Sequence, residues 1–175
     1  MYDRIPPKFD SQSVGMVSYG PSHKIITHIV KYRTHHNQLR WFGDIRMHMY
    51  SATKKNFYAS KKGITFNQEI TLGLMNSLIG LPDDVPDIKP GVQTEIKRFQ
   101  RYPEIFVVLS VVNIDNDIKI DIREWVVNGK NGYTGFSTKG IRFSYNLKND
   151  ISGALMVMHN KMIDLEKDIL TKKKK

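Results

Sequence analysis

Apolar and polar side chains alternate through "LRWFGDIRMHMY" (39–50), and "KIITHIVKYR" (24–33) before it is β-branched and aromatic. A period of two and that composition predict β-strands. Over 39–50 the period places Ile45, Met47 and Met49 on one face and Asp44, Arg46, His48 and Tyr50 on the other. "HHNQ" between them reads as a turn, "SATKKN" as a polar loop, and "FYAS" as a short strand. "KKGITF" reads as a last strand whose glycine marks a bulge or a close backbone approach. The period then changes. Ile70, Leu74, Leu78 and Leu81 recur at helical spacing, with Asn67 placed to cap, Glu69 in the first turn and Gly80 near the end. About four strands followed by one helix is the expected unit.

The order then repeats. "PDDVPDIKPGVQTE" reads as a linker, "EIFVVLSVVNI" as a strand, "DND" as a turn, and "IKIDIREWVV" as a strand. "NGKNG" carries turn signals and "YTGFSTKGIRFSY" covers the last strands. From about Lys148 to Ile169, residues Ile151, Leu155, Met158, Met162, Leu165 and Ile169 keep helical spacing. The methionines at 156, 158 and 162 read as packing residues. Expected boundaries are an irregular arm over 1–22, a first repeat over 23–81, a linker over 82–98, a second repeat over 99–171 and a lysine tail over 172–175.

The halves share residues as well as order. Asp44, Ile45 and Arg46 match Asp121, Ile122 and Arg123; Lys62, Gly63, Ile64 and Phe66 match Lys139, Gly140, Ile141 and Phe143. All seven identities fall at one offset of seventy-seven residues, which marks an internal repeat. A unit that short hides a small fraction of its apolar surface, so two of them are expected to share one core. The fold class this implies is α+β, with two fused repeats packed as a single-chain pseudo-dimer.

Charge changes the picture. The chain carries a net +10, unevenly: 23–81 has nine Lys or Arg against two acids, whereas 99–171 has nine of each and 172–175 adds four lysines. A basic field of that kind fits a polyanionic partner. There is no cysteine, no apolar run approaches the ~18 residues that span a bilayer, and "MYDRIPPKFD" lacks a signal-peptide apolar region. An intracellular setting without membrane contact is the expectation: nucleus or, for a viral protein, host cytoplasm or virion. The richness in Lys, Ile and Asn suits an AT-rich viral or phage genome. His35 and His36 are adjacent, so a strand would point them to opposite faces, and no metal-ligand spacing arises. With no Gly-rich phosphate loop ahead of a helix and no nucleophile signature, neither a cofactor nor an enzyme activity is expected.

"IDIREW", a Gly-bearing loop, "STKGIRFS" and a helix together resemble the positive-cofactor-four family, transcriptional coactivators that bind single-stranded DNA. The second repeat is similar over about 118–165, and the first through its Asp-Ile-Arg and Lys-Lys-Gly-Ile parts over about 40–80. Trp125 is followed by valines where the family carries an aromatic pair, and Met47 and His48 replace the glutamate and aromatic in the first repeat. The resemblance implies units of four antiparallel strands and a helix that pair to grip unpaired DNA, with the duplication supplying both halves of the surface.

Basic and aromatic residues interleave as single-strand binding requires, cations following phosphates and rings stacking on bases. The candidates are Arg40, Trp41, Phe42, Arg46, His48, Lys54, Lys55, Phe57, Tyr58, Lys61 and Lys62 in the first repeat. In the second they are Lys119, Arg123, Trp125, Lys130, Tyr133, Phe136, Lys139 and Arg142. Asp44–Arg46 and Asp121–Arg123 also read as same-face ion pairs that organise the sheet, and one of Trp41 and Phe42 belongs to the core. The expected function is a non-enzymatic single-stranded DNA-binding factor in transcription or replication, with RNA allowed and RNA polymerase or other transcription machinery as a partner. Further pairing into a homodimer is compatible with it. The alternative is a module of the same fold that docks an acidic polymerase or virion component.

Overall fold

The structure is a computed structural model and describes residues 12–33 and 39–172. Residues 1–11 of the expected arm, the "HHNQ" turn with His35 and His36, and the tail lysines 173–175 lie outside the described residues.

The strands are β1 (Gln12–Ser18), β2 (His23–Arg33), β3 (Leu39–Ser51) and β4 (Asn56–Phe66), followed by helix α1 (Gln68–Ile79). Then come β5 (Gln93–Tyr102), β6 (Ile105–Ile114), β7 (Asp117–Val126), β8 (Gly135–Ser144) and helix α2 (Lys148–Lys172). Each set of four strands is an antiparallel meander in sequence order, β1-β2-β3-β4 and β5-β6-β7-β8. Two four-stranded antiparallel sheets, each followed by a helix, are thus what the patterning expected.

The membership differs. "FYAS" and "KKGITF" are one strand, and the fourth strand of the first sheet is β1, inside the expected arm. The expected linker likewise ends at β5, which occupies its last residues. Both strands are sheet edges. β5 is exposed along nearly its whole length, so neither face imposes an apolar period on "QTEIKRFQRY". β1 is short, buries only Val17, and has a register shift beside Gly15. The β6–β7 turn is Asp115-Asn116, both at positive φ, as the "DND" signal required.

Period two decides which face is buried. Ile25, Ile29, Ile45, Met47, Ile64 and Phe66 of the first sheet and Val107, Leu109, Ile120, Ile122, Ile141 and Phe143 of the second belong to one buried cluster. Ile70, Leu74 and Leu78 of α1 and Ile151, Leu155, Met158 and Met162 of α2 complete it. Asn67 caps α1 by accepting a hydrogen bond from Ile70 N at 2.9 Å. Met158 and Met162 are core residues as expected, but Met156 is 48% exposed. Met156 is two residues from Met158, about 200° around the helix, and so faces away from the stripe.

The helices cross between halves. α1 and α2 pack on each other, α2 also lies on β1, β2 and β3, and α1 meets β5. A Cβ at Gly43 would overlap the Met158 side chain, and one at Gly73 would overlap Phe99, so a larger residue at either place would displace the side chain packed on it. The segment between repeats is held as well. Pro82 O accepts from the Tyr145 hydroxyl at 2.8 Å, and Asp83 pairs with the buried Lys148 ammonium at 2.8 Å. The edge strands β4 and β8 of the two sheets also touch.

Candidate nucleic-acid interface

The outer face of each sheet is built around the repeated motif, and the pairing explains why those residues recur. Asp44, Ile45 and Arg46 of β3 sit opposite Thr65, Ile64 and Gly63 of β4. Asp121, Ile122 and Arg123 of β7 sit opposite Arg142, Ile141 and Gly140 of β8. Beyond the arginine each ladder is interrupted at the same place. Met47 alone faces residues 60–62, and Glu124 alone faces residues 137–139. Each is a three-against-one bulge that pushes two or more residues out of the ladder.

Arginine holds both bulges. Arg46 donates to Asp44 through Nε (3.0 Å) and Nη2 (2.9 Å) and to Ser60 O through Nη1 (3.0 Å). Arg123 donates to Asp121 at 3.1 Å twice and to Ser137 O at 3.5 Å. Ser60 Oγ accepts from Lys62 N, and Ser137 Oγ accepts from Lys139 N, each at 3.1 Å. A Cβ on Gly63 would stand 2.8 Å from Ile45 O and 3.0 Å from Arg46 Cγ, and one on Gly140 2.8 Å from Ile122 O and 3.0 Å from Arg123 Cγ. Asp-x-Arg and Lys-Gly are therefore one structural device, and Ser60/Ser137 is an eighth identity within it. Arg46 and Arg123 keep part of their donor capacity but act first as braces. The ion-pair reading of the two aspartates is the one the geometry bears out.

The remaining candidates divide by sheet. Phe42 lies on the outer first face, edge-on to Tyr32 at 5.5 Å, whereas Trp41 packs toward the core under Lys31. His48 stacks on His28 with Nε2 atoms 3.1 Å apart. Burial pushes His28 below the ordinary imidazole value, against Asp44 and with Arg46; burial, then His28 and Arg46, do the same to His48. Phe57 meets Tyr50 edge-on at 5.3 Å and carries the Lys24 ammonium 4.2 Å above its ring. Lys54 and Lys55 sit in the β3–β4 turn, Tyr58 is 47% exposed, and Lys61 and Lys62 are exposed in the bulge. Arg40 is exposed at the other end of β3.

In the second sheet the same positions are committed. Asp121, 1% exposed, takes Arg142 at 2.7 Å besides Arg123. Glu124, 3% exposed, accepts from Ser137 Oγ at 3.1 Å and pairs with Lys139 (3.2 Å) and Arg101 (3.4 Å). Lys119 pairs with Asp117 at 2.9 Å, which raises its pKa. Trp125 is held between Phe136, edge-on at 4.8 Å, and the Arg98 guanidinium at 5.0 Å. Tyr133 donates to Phe136 O at 2.8 Å, and Lys130 opens the adjoining exposed turn.

No protein-family model and no curated protein matches the chain. The assignment rests on geometry.

Between Gln12 and Phe66 there are nine Lys or Arg and one acid, Asp44; between Gln93 and Ser144 there are eight and six. Of the eight cations in the first sheet whose side chains are described, Arg46 alone is ion-paired. In the second sheet six of eight are. Lys24, His28, Tyr32 and Tyr50 were missed as surface candidates. Alternation along β2 and β3 does place them on the polar face, but which residues meet across the strands depends on a register that the sequence leaves open. Among the described residues no cluster of three or more His, Asp or Glu is placed to hold a metal ion, and no helix is long and apolar enough to cross a membrane.

Proposed function

We propose that the protein holds single-stranded or melted DNA, without catalysing a reaction, in transcription or replication. The observation that carries this reading is the outer face of the first sheet, where exposed cations without carboxylate partners border Phe42, Tyr50 and Phe57. Cations alone would fit any polyanion. Cations beside rings favour a strand whose bases are free to stack, each stacked base contributing roughly 1–3 kcal/mol. In this reading the two repeats are halves of one single-chain pseudo-dimer. The mutual packing of the helices, the shared core and the contact of β4 with β8 support it. RNA is accepted by the same chemistry, since stacking does not distinguish the sugars.

Fluorescence-anisotropy titration of a labelled mixed-sequence single strand at several salt concentrations, with duplex as competitor, tests it. Tight binding that prefers the single strand and falls linearly in log salt is expected, with a slope of about −0.7 per phosphate engaged. Equal affinity for duplex, or no binding at low salt, would end this reading in favour of a module that docks an acidic protein.

A further inference from the structure

The two bulges are built alike, and one of them already binds an anion. In the second sheet the Glu124 carboxylate takes the Ser137 hydroxyl and the Lys139 ammonium, with Arg101 closing from β5. In the first sheet Ser60 and Lys62 are the same residue types at the same bulge positions, fixed by the same hydrogen bond from the lysine amide to the serine hydroxyl and the same arginine-to-carbonyl brace. Position 47, opposite that bulge, is methionine and buried in the core. Two donors that bind a carboxylate in one half thus recur in the other half without an internal acid, and Lys61 adds a third donor, the second cation, where the second bulge has Thr138.

Resting on the single-strand reading above, we propose that the β4 bulge (Ser60, Lys61, Lys62) takes a phosphate of the bound strand, that Glu124 fills the corresponding place in the second sheet, and that the strand is therefore held by the first half of the chain alone. The surroundings point the same way. From the bulge the β3–β4 ribbon leads past Phe57 and Tyr50 to Lys54 and Lys55 at its turn, so further phosphate and base contacts lie along one path. In the second sheet the ring beyond the bulge, Trp125 at the place of His48, is enclosed by Phe136 and Arg98.

The test compares three variants of the full chain, Lys62→Ala, Lys139→Ala and Glu124→Gln, by anisotropy with labelled oligo-dT. Thermal midpoints of each variant check that it is folded. Lys62→Ala is expected to weaken binding ~5-fold and lower the salt slope by about 0.7. Lys139→Ala is expected to cost less than ~2-fold, because its ammonium already pairs with Glu124. Glu124→Gln keeps the shape of the buried side chain, frees Lys139 and Arg101, and is expected to tighten binding ~3-fold with a steeper slope. Equal losses from Lys62→Ala and Lys139→Ala, with no gain from Glu124→Gln, overturn the one-sided path while leaving single-strand binding in place. Absence of binding by the unaltered protein overturns both.

Discussion

The two sheets have the same skeleton and opposite surfaces. Strand order, the aspartate–arginine fork, the glycine under it and the three-residue bulge recur at one offset. Around them, the first sheet leaves all its described cations but Arg46 without acids and lines them with rings, whereas the second pairs six of its eight. The residues that recur build the same bulge in both sheets, and what changed is the set of acids around it: Glu124 stands where the first sheet has Met47. A motif shared by both halves is therefore, by itself, a poor guide to which half has free cations.

The largest expected effect tests the buried charge. Asp121 holds two arginines and Asp44 one arginine and the Thr65 hydroxyl. Breaking a buried pair costs about 3–5 kcal/mol, so Asp121→Ala is expected near the top of that range and Asp44→Ala near or below its bottom. Urea unfolding measures both, and equal losses would mean that Arg142 contributes nothing. Next, Gly63→Ala and Gly140→Ala should each cost about 2 kcal/mol through overpacking. The two values should agree within about 0.5 kcal/mol, and a large gap would refute the identity of the two skeletons. Smaller again, Tyr50→Leu should weaken single-strand binding by about 1 kcal/mol, at the low end for one stacked base, and leave stability nearly unchanged. Trp125→Leu should do the reverse, since its ring is already packed.

The subtlest contrast is in pH. His28 and His48 are both held below the ordinary imidazole value of 6.5. The unfolded chain therefore binds their protons first as pH falls, so stability is full above about 6.5 and declines below it until the folded pair titrates. The second sheet has no histidine between Gln93 and Ser144. A His28→Gln/His48→Gln double variant should flatten the decline in urea midpoint between about pH 6.5 and 5. An unchanged decline would assign it to other groups.

The sequence carried the buried strands and both helices openly, because one-sided burial writes a period into β2, β3 and β7 and a stripe into α1 and α2. It did not carry β1 and β5. Edge strands that bury little have no reason to alternate, and Gly15 and the charged run of β5 look like loop. The candidate surface was legible as a list and illegible as an arrangement. Lys62 and Lys139 read alike in sequence, yet whether a lysine is free depends on which carboxylate a bulge brings beneath it. Glu124 stands next to Arg123 in the chain, and alternation alone assigns it only to the opposite face.

The exchange of helices has a consequence for synthesis. Gly43 and the Met158 that covers it are 115 residues apart in the chain. As the polypeptide emerges from the ribosome, the first sheet is complete in sequence long before α2 exists to cover its apolar side. It must wait with that side unsealed while the second sheet is made. Long-range closure of this sort slows folding and leaves nascent strands open to wrong partners. Until the last helix arrives that sheet carries nine Lys or Arg against one acid, and like charge of that size opposes association between unfinished chains.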